Sequence, residues 1–238
     1  MFHPDGHTFA GFSEPVAEPD GPYAHLAAAL TGRVLARCSA ALWRHDSFEH
    51  LDVLGLALRF RRGPGAPLDH EPAEGDTDLL TATIRSPLTM LLSPLFTDAT
   101  DFAGNRYWAV SPFTFGELRF ELRLVPIAPH QPTGANRTER LARAVSEGRA
   151  GWVLEGRATL HLEWHPIVRV ELVSAADIDQ AALRFDPFRG VLNPVGLVHA
   201  IRRAAYAASQ RAHPGNEVTA EARSHPRSRP STSRAARP

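Results

Sequence analysis

The chain has 238 residues, 43% of them hydrophobic and 22% charged, the balance of a soluble globular protein long enough to bury a core without disulfides or metal staples. Basic and acidic residues number 26 each, so no global field points to nucleic acid or to an anionic membrane. One cysteine, Cys38, leaves no intramolecular disulfide and no CxxC zinc site, which implies a reducing, cytoplasmic setting.

Residues 1–22 are rich in Pro, Gly, Asp and Glu, lack periodicity and lack the basic-then-apolar order of a secretory signal. They predict a loosely held arm ahead of a domain over 23–213. "GRVLARCSAALWR" alternates apolar and polar residues over part of its length. "DVLGLALRFR" puts Leu54, Leu56, Leu58 and Phe60 on one face and Val53, Gly55, Ala57 and Arg59 on the other. "DLLTATI" and "NRYWAVSPF" follow the same period. "SPLTMLLSPLF" is apolar but too short to span a bilayer, and prolines interrupt it. In "ELRFELRLVPI", Leu118, Phe120, Leu122 and Leu124 oppose Glu117, Arg119, Glu121 and Arg123, as in an antiparallel sheet with one wet face.

"RTERLARAVSEGR" carries Leu141 and Val145 at helical spacing, and the strands "GWVLEGRATLHLEW" and "IVRVELV" follow. "NPVGLVHAIRRAAYAASQRA" reads as a helix with Asn193 as N-cap and Pro194 at its first position. Residues 214–238 contain no Leu, Ile or Phe and predict a disordered tail. About seven strands with few helices make a mainly β (α+β) protein, a barrel or a curled sheet. No membrane span and no nucleic-acid partner are expected, and the oligomeric state stays open.

Two constellations could carry chemistry. "HLEWH" puts His161, Glu163 and His165 on one face of a strand, a set able to form a facial triad for iron. Arg157 and Thr159 continue that face opposite Ala158, Leu160, Leu162 and Trp164, so a solvent face is the simplest reading. On the last helix, Arg202 lies four residues before Tyr206 and thus beside its ring. A guanidinium there favours phenolate over phenol, and tyrosinate is an axial ligand for haem iron. The competing reading is an ordinary amphipathic helix with a basic face. No GxGxxG, GxxxxGK[ST] or GxSxG occurs.

The run Leu183 to Arg211 resembles the end of the haem catalase core. Its elements are Phe185-Asp186-Pro187, then Gly190 and Pro194, then Arg202, Tyr206 and Arg211 on the helix. "DVLGLALRF" and "TDLLTATI" resemble two strands of the same family. The resemblance implies a closed antiparallel catalase-like β-barrel, haem b as cofactor, Tyr206 as iron ligand and Arg202 as its charge partner. Arg211 lies beyond them, and His213 falls where the family keeps a propionate-binding arginine. It also places Leu35 at the distal histidine position and Thr83 at the distal asparagine position. Leucine cannot move a proton between peroxide oxygens. The implied protein is a haem binder that is not an efficient catalase and acts on organic hydroperoxides or lipids. The alternatives are a haem-free barrel holding an apolar small molecule, and a structural or interaction protein.

Overall fold

The computed structural model describes residues 6–16, 18–19, 21–41, 49–63, 67–109, 111–127 and 133–195. The two-residue hydrophobic period becomes ten strands: β1 (Gly6–Pro15), β2 (Gly32–Ala40), β3 (Leu54–Arg61), β4 (Thr77–Ala82), β5 (Tyr107–Trp108), β6 (Phe113–Phe115), β7 (Leu118–Pro126), β8 (Gly151–Ala158), β9 (His165–Ala175) and β10 (Asn193–Pro194). Eight of them, β1-β2-β3-β4-β5-β7-β8-β9, pair in that order, and β9 pairs back with β1. Every pairing is antiparallel, so the sheet closes into a barrel. β6 pairs with the first residues of β7 and β10 pairs with β6.

Alternation fills the interior. Val34, Ala36 and Cys38 come from β2, Leu54, Leu56, Leu58 and Phe60 from β3, and Phe120, Leu122, Leu124, Trp152 and Leu154 from β7 and β8; all are buried in one cluster. Helices join the same cluster at the two rims. α1 (Gly21–Leu30) links the exit of β1 to the entry of β2 and contributes Tyr23, Leu26 and Leu30. α3 (Arg137–Ser146) links the exit of β7 to the entry of β8, at the opposite rim, and contributes Leu141, Ala144 and Val145. Asn136 caps α3 by accepting from the Glu139 amide at 2.9 Å, while the Glu139 carboxylate accepts from the Ala135 amide at 3.0 Å, which fixes where the helix starts.

Three sequence expectations are corrected. Gly6–Pro15 is not a loose arm: it is a ten-residue strand bonded to β2 on one side and β9 on the other. Its Gly11 lets the backbones close up at a bulge, because a Cβ there would overlap the Glu171 carbonyl. Asn193 and Pro194 do not cap a helix; they form a two-residue bridge to Thr114 and Phe113. "NRYWAVSPF" is two short strands separated around Ser111 and Pro112, not one. α1 went unread because "AHLAAAL" has no polar face to set a helical period. The helix expected after Pro194 and the tail over 214–238 lie outside the described residues.

Candidate functional site

The outer face of β2, β3 and β4 is buried over its middle, at Leu35, Arg37, Ala57, Arg59, Arg61 and Asp78. Leu35 and Ala57 point away from the main core and form a second apolar cluster with Leu183 and Phe185, bordered by Leu68, Leu80, Ala176 and Ile178. Charged side chains occupy the same face. Arg59, fully buried, donates to the Asp78 carboxylate through Nε at 2.9 Å and Nη2 at 3.3 Å, and to the His70 carbonyl at 3.0 Å. Its guanidinium lies 5.1 Å from the centre of the Phe185 ring and also donates to the Arg184 carbonyl. Asp78 further accepts from the Asp186 amide at 2.8 Å and from the Arg189 guanidinium. Two residues further along β3, Arg61 pairs with Asp76 at 2.8 Å and donates to the Glu71 carbonyl at 2.7 Å.

This arrangement clamps the 183–191 segment to the barrel wall. A buried charge is costly unless paired and hydrogen-bonded, and here both members of each pair are. Gly190 completes the seat. Its φ of 91° suits glycine, and a Cβ would come within 2.6 Å of the Asp76 carbonyl oxygen. Beside the clamp, Arg37, Ser39, Gly55, Ala57 and Leu80 line a cleft of about 30 Å³, room for a water or two and far below the roughly 300–1,000 Å³ of a ligand pocket. The mark of the clamp in the sequence is Arg59 and Asp78, charged residues set among the apolar residues of β3 and β4.

Leu35 is fully buried beneath this cover. The position that the resemblance makes distal thus lies on a face of β2 that looks onto Ala57, Leu183 and Phe185. Thr83 is spent on structure, since its hydroxyl oxygen accepts from the Leu54 amide at 3.1 Å and from the Thr97 hydroxyl at 2.8 Å. Leu35 is level with Arg59 and Asp78 in the ladder. Thr83 lies five residues beyond Asp78, or about 16 Å at strand rise. The two positions are not brought together. Tyr206, Arg202, Arg211 and His213 lie outside the described residues.

"HLEWH" is not one strand. β8 ends at Ala158, the chain turns through Leu160 with a φ of 74°, and β9 starts at His165. Leu160 and Leu162 are 98% and 90% exposed, so they form a hairpin tip and not an apolar core face. The guanidinium groups of Arg123 and Arg157 lie over the Trp164 ring, 4.0 and 4.7 Å from its centre, while His165 stacks on Tyr23 with ring centres 5.0 Å apart. Among the described residues no group of three or more His, Cys, Asp or Glu could hold a metal ion.

Inside the barrel, burial pushes the Cys38 thiol up to about 12. Burial, then Cys38 and Asp101, holds the Tyr107 hydroxyl well above its ordinary value, and that hydroxyl donates to the Phe102 carbonyl at 2.7 Å. These are packing groups. No described helix is long and apolar enough to cross a membrane. No protein-family model matches the chain, and no curated protein matches it.

Proposed function

We propose that the chain is a catalase-like haem b protein that turns over hydrogen peroxide poorly and acts on organic hydroperoxides or lipids in a reducing, cytoplasmic setting. One observation supports this reading above the rest. The separate stretches that resemble the catalase core converge on one wall of a closed antiparallel barrel: Leu35 on β2, Ala57 and Arg59 on β3, Asp78 on β4 and Phe185-Asp186 after β9. Free, buried Cys38 agrees with the reducing setting.

Haem, when bound, would supply an iron centre able to cleave an O–O bond. The chain's own residues would hold it. Tyr206 would ligate as phenolate, Arg202 would keep that phenolate charged, Arg211 would lie beyond them, and His213 would stand at the propionate-binding position. Weak catalase turnover is expected because the two positions that the resemblance makes distal are engaged elsewhere: Leu35 packs under Leu183 and Phe185, and the Thr83 hydroxyl bonds Leu54 and Thr97. The test is a visible spectrum of the full chain expressed with haem supplied. A Soret band is expected, lost in Tyr206→Phe with the far-UV circular dichroism unchanged. A band that survives in that variant removes Tyr206 as ligand, and no band in the wild type ends the haem reading.

A further inference from the structure

We draw no further inference here: the strongest candidate, the exposed apolar surface of Met90, Leu91, Leu95 and Phe96 on the 3-10 helix (Pro87–Leu92) and α2 (Ser93–Phe96) between β4 and β5, carries nothing, because nothing in the structure shows what covers it.

Discussion

Leu35 and Thr83 are the two described positions at which the family resemblance makes a claim about side-chain direction, and each is engaged with its own structure. Leu35 packs under Leu183 and Phe185, and Thr83 bridges Leu54 and Thr97. Leu35→His with Thr83→Asn should therefore give no gain in oxygen release from hydrogen peroxide. It should lower the melting temperature, with each buried polar group left unpaired costing about 1–3 kcal/mol. Oxygen electrode and thermal melt on the same protein decide it, and faster oxygen release would restore both residues to a distal site. Alternation in "RVLARCSA" told that Leu35 and Ala36 face opposite ways. It could not tell which face meets the barrel interior, because both faces of β2 are buried. Cys38, on the interior face, carries a pH signature. Its folded pKa of about 12 stands above the ordinary 9.0, so the unfolded thiol ionises first. The stability it contributes is whole below about pH 9 and falls as pH rises toward 12. Tyr107 adds a decline of the same sign above its ordinary 10.0. Denaturant melts of Cys38→Ala should show a flatter decline between pH 9 and 10 than the wild type; equal slopes would mean the thiol is not held neutral by burial.

The element that depends most on a few residues is the 183–191 segment after β9. It has no regular secondary structure, and its hold on the barrel runs through Asp78, which takes Arg59, the Asp186 amide and Arg189 on one carboxylate. Asp78→Ala strands a fully buried guanidinium and releases two anchors of the segment at once. The expected loss is about 3–5 kcal/mol. Hydrogen exchange should show amides 186 and 191 losing protection before those of β3. Protection unchanged in that variant would mean that the Leu35–Phe185 contact alone holds the segment. Such a clamp is hard to read beforehand, since Asp78 and Arg189 are 111 residues apart. β7 was legible because its faces differ in polarity, and α3 because its cap and its apolar spacing agree. β1 was not: Gly, His, Thr and Ser fill the sequence of a strand paired on both sides, and composition suggested a coil.

Across the whole molecule, strand count and polarity pattern sufficed for a mainly β barrel, whereas closure could not be read from any one strand. Closure rests on β1 meeting β9, and the Thr8 hydroxyl reaching the Ala176 carbonyl at 2.9 Å spans 168 residues. Elsewhere most neighbours in the ring are also neighbours in the chain. That topology sets a timetable for biosynthesis. β1 leaves the ribosome before the other strands, and β2, β3 and β4 can join it in turn as a growing meander. Its other edge stays open until β9 has emerged, about ten to thirty seconds later at ordinary elongation rates. Through that interval the nascent chain offers bare amides and carbonyls along β1, where a chaperone or a second nascent chain could pair. Gly11, placed where the two backbones finally close up, lies on that waiting edge until the last strand arrives.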